Sequence, residues 1–464
     1  MKQKKEREKE ISQWPWISML PFGILAGYWG KREVRITAIS EYGFQTRLAA
    51  PATAEQKNAP WELAFYDQKT AFYQRILLRD ATFLQEKEED FDVVYTFATE
   101  QEDYRNAVQH LALQYSQYIR WKMEDDDAAL AEQMTGYPAE QDTFHLESLE
   151  EQKKVWFSGI TKETFVALQN SAAGSGQPIE LALELDRPEW YEAYLSMESA
   201  VFFDAYFRKN QIPDPPLFHP DRLYIGNAFC PHLAPTEEEL FALMDKACRE
   251  SFAVTLVFPF LLEENLPETQ ARLQHLARWC EQENKTIEIV VNDWGTAHLA
   301  VQFPVFSLCL GVLLNKRKKD PRMAYKLGDR TLFEQNSVHA AFYREYLKEE
   351  FRMERYEWES CGNTGTGKFP EGKNSMHLPF YQTNTSQYCP LYAACTKGSR
   401  SAQMPVRECP RFCEKQAFLY PEHLRMMGRY NSLFGMNLTV LQDPETIGKM
   451  YELRGIDRIV VNLL

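Results

Sequence analysis

The residues most able to do chemistry in this sequence are its cysteines. There are nine in 464 residues, and they are unevenly spread. Cys389-Pro-Leu-Tyr-Ala-Ala-Cys395 is followed, after a polar loop of thirteen residues, by Cys409-Pro-Arg-Phe-Cys413, so four thiols fall within 25 residues. Soft sulfur donors gathered in this way suit zinc or an iron–sulfur cluster. Structural zinc more often shows two-residue spacers at both pairs, and the spacers here are five, thirteen and three. Proline directly after Cys389 and Cys409 is shared with ferredoxin-type ligand loops. A metal-free group of thiols is the alternative. Of the rest, Cys230 ends a strand-like run. Cys248, Cys280 and Cys309 sit singly in apolar segments, where a free cysteine acts as a small buried hydrophobe. Cys361 lies in a glycine-rich loop.

Other candidates are more isolated. Asn292-Asp293-Trp294-Gly295 follows a β-branched run, and Asp293 there offers either a helix cap or a carboxylate at the end of a strand. Lys316-Arg-Lys-Lys319 with Arg322 is the strongest basic cluster, suited to a phosphate or to a solvated loop. His377 is a candidate acid–base group or a satisfied structural histidine. Gly362-Asn-Thr-Gly-Thr-Gly-Lys368 imitates the start of a phosphate-binding loop. However, Phe369 stands where Ser or Thr must hold magnesium, and Pro370 and Gly372 oppose the helix that the motif needs. No nucleophile–base pairing or hydrolytic metal motif stands out, which argues against proteolysis.

These residues need elements to position them, and the length calls for two or three domains. Composition is 44% hydrophobic, 13% aromatic and 25% charged, which suits packed cores. A formal charge of −14 argues against a sequence-independent grip on nucleic acid or anionic membrane. An odd cysteine count in a chain of this size does not fit a secreted disulfide framework, so a cytoplasmic protein is expected. Trp14 to Gly30 carries no charge, but two prolines and flanking lysines make it a buried part of the first domain rather than a membrane span.

Residues 1–123 read as a mostly β domain. Val34 to Leu48 alternates around a Ser-Glu-Tyr-Gly turn as a hairpin, and a helix from Asp103 to Met123 closes the unit. Residues 124–220 read as a mixed helical connector, with an acidic run at Glu124–Asp127, a turn at Ser171–Gly176, a strand-like IELALEL and a Pro-rich joint. From 221 to 464, apolar strands alternate with amphipathic helices, including RLYIGN, AVTLVFPFL, TIEIVVND, FSLCLGVLL, MNLTVL and DRIVVNL. This pattern predicts an α/β, TIM-like barrel. RMERYEWES, within the same region, reads as a poor hydrophobic strand.

With Leu223-Tyr-Ile-Gly-Asn-Ala-Phe-Cys230, Ile289-Val-Val-Asn-Asp-Trp-Gly295 and Cys395…Cys409-x3-Cys413 in view, the stretch from Arg222 to Leu464 resembles the peptidase U32-like family. That family is named after a collagenase-like protease and includes oxygen-independent ubiquinone-hydroxylation and RNA-hydroxylation proteins. The resemblance implies a TIM-like barrel binding a four-iron, four-sulfur (4Fe–4S) cluster, with ligands Cys230, Cys395, Cys409 and Cys413. Another branch uses an upstream cysteine near the position of Cys389 in place of the strand-end one, so Cys389 is an alternative or fifth thiol. Zinc is the alternative metal. The resemblance further implies hydroxylation chemistry on an unidentified small molecule and a partner subunit of the same family. Ala38-Ile-Ser40-Glu-Tyr-Gly43 is similar to half of the cyclic di-GMP motif of PilZ domains. Ala38 replaces the usual Asp or Asn, and no upstream Arg-x-x-x-Arg is present. The rival expectation is therefore a regulatory or scaffold protein with a PilZ-like N-terminal domain and a structural metal.

Overall fold

The computed structural model describes residues 11–18, 24–67, 72–89, 91–123, 146–160, 164, 179–212, 219–317, 319, 335–361, 368–398, 404–420 and 425–464. The acidic run, the Ser171–Gly176 turn, most of the Pro-rich joint, Lys318, Arg322 and the loop at 362–367 lie outside these residues. The chain divides into two compact units, residues 1–139 with 325–329, and 140–324 with 330–464.

The first unit is built on two antiparallel sheets of five and four strands. The expected hairpin is present as Ile36–Ser40 and Gly43–Leu48. The Ser40 hydroxyl accepts the Tyr42 amide at 3.2 Å and so holds the turn. The core is aromatic, as the alternation predicts. Trp29 stacks on Trp61 with ring centroids 4.9 Å apart, and Phe44 and Phe97 close around them. The Glu102–Met123 helix buries Tyr104, whose hydroxyl donates to the carbonyls of Ser40 and Gly43. Of the uncharged Trp14–Gly30 stretch, the described part forms strands Ile17–Ser18 and Leu25–Trp29. Among the described residues, no helix is long and apolar enough to cross a membrane.

The second unit is a closed barrel of eight parallel strands with surrounding helices. In order around the barrel the strands are Glu180–Leu185, Arg222–Gly226, Ala253–Val257, Ile287–Val291, Phe306–Leu310, Arg355–Glu359, Lys373–Thr385 and Arg458–Asn462. The last of these pairs with both its neighbours, and this closes the ring. The barrel therefore begins before residue 221. IELALEL, which sequence reading assigned to the connector, is its first strand; its apolar residues are buried, and Glu180 and Glu184 find charged partners, Arg458 and His377. MNLTVL is not a strand. The strand there, Ser432–Met436, ends on the first residue of that run, and Thr439–Gln442 is helical. Expected helices form at Glu237–Arg249, with a Thr236/Glu239 capping box, and at Leu266–Glu283 and Pro444–Arg454.

RMERYEWES supplies a barrel strand after all. Its charged side chains point into a polar interior. Arg355 clasps Asp457 through two bonds of 2.9 Å, and Arg458 on the eighth strand reaches Glu288 on the fourth at 2.7 Å and Glu180 on the first at 2.6 Å. Three opposing guanidinium groups hold the Glu288 carboxyl near 2 against the upward push of its burial.

The long seventh strand runs past the barrel and pairs antiparallel with Ser432–Met436, which in turn pairs with Met426–Arg429. This small flap stands at the C-terminal mouth, where barrel folds build their sites.

Candidate metal centre

Four thiols meet at that mouth: Cys230, Cys389, Cys409 and Cys413 line one small cavity together with His232, Val406, Phe412 and Tyr430. Each reaches it by a different local device. Cys230 follows the second barrel strand through Gly226, which takes a φ of +123°. A Cβ at Gly226 would run into the Val257 carbonyl, so only glycine lets the strand end turn there. The Asn227 side chain then accepts the amides of Phe229 and Cys230, both at 2.8 Å, and donates to the Asp186 carbonyl. Cys389 occupies the cap of the Pro390–Lys397 helix. Its sulfur accepts the Tyr392 amide and donates to the Tyr430 carbonyl at 3.3 Å. Cys409 lies in the following loop, where its sulfur accepts the Arg411 amide. Cys413 sits in a buried single turn, Phe412–Glu414.

Two residues that sequence reading did not single out stitch these segments together. Asn431, in the turn of the flap, donates to the Phe229 and Ser386 carbonyls at 2.6 and 2.7 Å, tying the Cys230 loop to the approach to Cys389. His232 bonds the Val406 carbonyl at 2.9 Å, tying the same loop to the approach to Cys409. Loop asparagines and single histidines are too common for either role to be signalled by residue type alone.

Cys395, six residues along the chain from Cys389, does not line this cavity, and its thiol donates to the Gln416 side chain. The structure thus brings together three of the four expected ligands with Cys389, and it places Cys230 and Cys389 side by side rather than as alternatives.

Burial pushes the Cys230 thiol upward and raises Cys389 to about 11 and Cys413 to about 12, and neighbouring thiols add to each shift. Left to themselves these groups stay protonated, and a bound cation would invert that preference. The donor set fits a soft metal. Two observations pull apart on which one. The space between the thiols is only about 20 Å³, the room of one ion. Yet among the described residues no group of three or more His, Cys, Asp or Glu is arranged to hold a metal ion, which for zinc would require sulfurs about 3.8 Å apart.

The two other candidates have structural partners. Asp293 caps the Trp294–Ala300 helix, accepting the Thr296 amide and hydroxyl at 2.8 Å and the Leu261 amide at 3.0 Å. It also borders a mouth cavity of about 770 Å³ shared with Lys316, Arg317 and Lys319. Lys319 there is paired with Glu359, and Arg317 donates to the Cys361 sulfur. His377 lies inside the barrel between Glu357, at 2.8 Å, and Glu184, at 3.7 Å. Burial would lower its pKa, but these two carboxyls raise it to about 10.

No family model and no curated protein matches the chain. Among solved structures, an uncharacterized Legionella protein aligns at 16% identity over 23% of this chain and 96% of its own, with a TM-score of 0.16. That score carries no argument.

Proposed function

We propose that this is an iron–sulfur barrel protein in which Cys230, Cys389, Cys409 and Cys413 hold a 4Fe–4S cluster, and that it acts as an oxygen-independent hydroxylation enzyme or a subunit of one. The observation that carries the reading is the convergence of four thiols, from a barrel strand end and three separate points of the distal block, on one cavity at the C-terminal mouth. When bound, such a cluster supplies one-electron chemistry or a site for an oxygen-donating substrate. The chain's own part is to place that chemistry next to a groove. A cleft of about 440 Å³ runs past Cys230 and Cys389 and is walled by His232, Leu262, Tyr388, Val406 and Asn431. It is of a size for a small organic molecule. Glu263 and Glu264 at its rim disfavour anionic substrates there.

The deciding measurement is metal content after anaerobic purification. About four irons and four sulfides per chain, with brown colour, are expected. Colourless protein with one zinc would replace this reading with a structural site, for which the narrow space between the thiols is the supporting observation. Electron paramagnetic resonance of the reduced protein would then separate a working redox centre from an inert one.

A further inference from the structure

On the other side of Cys413 lies a larger cavity of about 1060 Å³, walled by Lys153, Arg187, Trp190, Lys209, Arg411, Arg429 and Tyr430 among others. We propose that this cavity is a binding site for a small oxyanion, an organic carboxylate or a phosphate, with Arg429 as its principal contact.

The argument begins with partners. Arg187 donates to Asp186 at 2.9 Å and to the Tyr430 hydroxyl at 3.2 Å, and it approaches Glu189 at 3.4 Å. Lys153 donates to the Asn210 side chain at 3.0 Å and to the Leu464 main-chain oxygen. Lys209 is paired with Glu189, and Arg411 lies 3.7 Å from Glu414. The arginines and Lys209 here each face a carboxylate, and Lys153, whose pKa burial pulls well down, has two oxygen acceptors. Arg429 differs. It ends the Met426–Arg429 strand at 4% exposure, and its buried Nε has no hydrogen-bond partner. Its guanidinium lies over the Tyr430 ring at 5.3 Å and its charge favours the thiolate of Cys413, but among the described residues no carboxylate pairs with it. A buried guanidinium without a counter-charge is costly, and such groups persist where something else supplies the charge.

The carboxylates on the cavity wall do not supply it. Glu189 and Glu414 are engaged as above, Glu192 is exposed, and Glu150 is half-buried and among the described residues forms no ion pair with Arg429. The planar fork of arginine selects carboxylate or phosphate geometry over a simple halide. Trp190 and Tyr430 border the cavity, their rings lying beneath Arg187 and Arg429. The site stands without any metal, although it shares Tyr430 and Cys413 with the thiol cavity.

The test is calorimetric titration of the full-length protein, its metal content measured beforehand, with inorganic phosphate and separately with benzoate at constant ionic strength. Binding of either supports the site, and the arm that responds tells phosphate from carboxylate. Arg429→Gln should weaken binding at least tenfold, and Arg429→Lys should keep part of it, since charge survives and the fork does not. In the absence of anion, Arg429→Gln should melt no lower than the parent, because it removes an unanswered charge. Saturating anion should raise the melting temperature of the parent and leave this variant unmoved. Failure of both anions to bind, or binding by Arg429→Gln within twofold of the parent, overturns the proposal. Loss of iron from Arg429→Gln with anion binding intact would also overturn it, assigning Arg429 to the charge of the thiolates instead.

Discussion

Cys389 and Cys395 are six residues apart, and a helix explains why they part company. Six residues of α-helix turn through about 600°, so the later side chain emerges about 240° around from the earlier one. With Cys389 capping the Pro390–Lys397 helix toward the thiol cavity, Cys395 must leave on another face, where it finds Gln416. Cys389→Ala should therefore strip most bound metal, as should Cys230→Ala, Cys409→Ala and Cys413→Ala, while Cys395→Ala should retain nearly all of it. Iron and zinc counts on the five variants check this directly, and equal losses from Cys389→Ala and Cys395→Ala would sink the assignment. Residue type and crowding made the thiols legible in the sequence. The choice among five did not follow, because it depends on a helix only two turns long and on Asn431 and His232, whose carbonyl partners lie far away along the chain.

At the level of elements, the strand Arg355–Glu359 shows how a correct rule can mislead. Apolar runs mark strands covered on both faces, but here the inward face meets charge, so hydrophobicity and strand identity separate. The same polar interior sets the pH limits of the barrel. His377, raised to about 10, contributes stability that is full below about 6.5 and is lost as pH climbs through 10. Glu288, lowered to about 2, contributes stability that is full above 4.5 and is lost as pH falls toward 2. Melting temperature should thus be highest in the window between. His377→Gln, which leaves Glu357 buried without its cation, should cost about 3 kcal/mol near neutrality and flatten the alkaline limb. An unchanged alkaline limb would rule out this role for His377. Gly226→Ala tests the other end of the architecture. A positive φ and a collision with the Val257 carbonyl should cost about 1–3 kcal/mol and displace the Asn227 clasp, lowering metal content along with stability.

For the whole molecule, the alternation of strand and helix announced a barrel, and the β-rich opening announced a separate sheet unit. What length and composition could not supply was the point where one ends and the other begins, because the first barrel strand stands apart from the next by two helices, Pro188–Ser196 and Ser199–Lys209. The N-terminal unit bears on the regulatory reading. Ala38 is buried in its hairpin and offers no side-chain acceptor, so the full chain should show no micromolar affinity for cyclic di-GMP in equilibrium dialysis. Micromolar binding would move the protein toward the regulatory class.

The barrel is closed by a strand at 458–462 that sits between the first strand, at 180–185, and the seventh, at 373–385. Pairing across nearly the whole unit is slow to form, since the ends of so long a segment must find each other before any contact rewards them. During synthesis, every thiol from Cys230 to Cys413 leaves the ribosome before that strand does. The sheet is then still an open ribbon, with its future mouth unsealed. A metal held by those thiols would have its ligands in place before the ring closes, because closure waits on that one late strand.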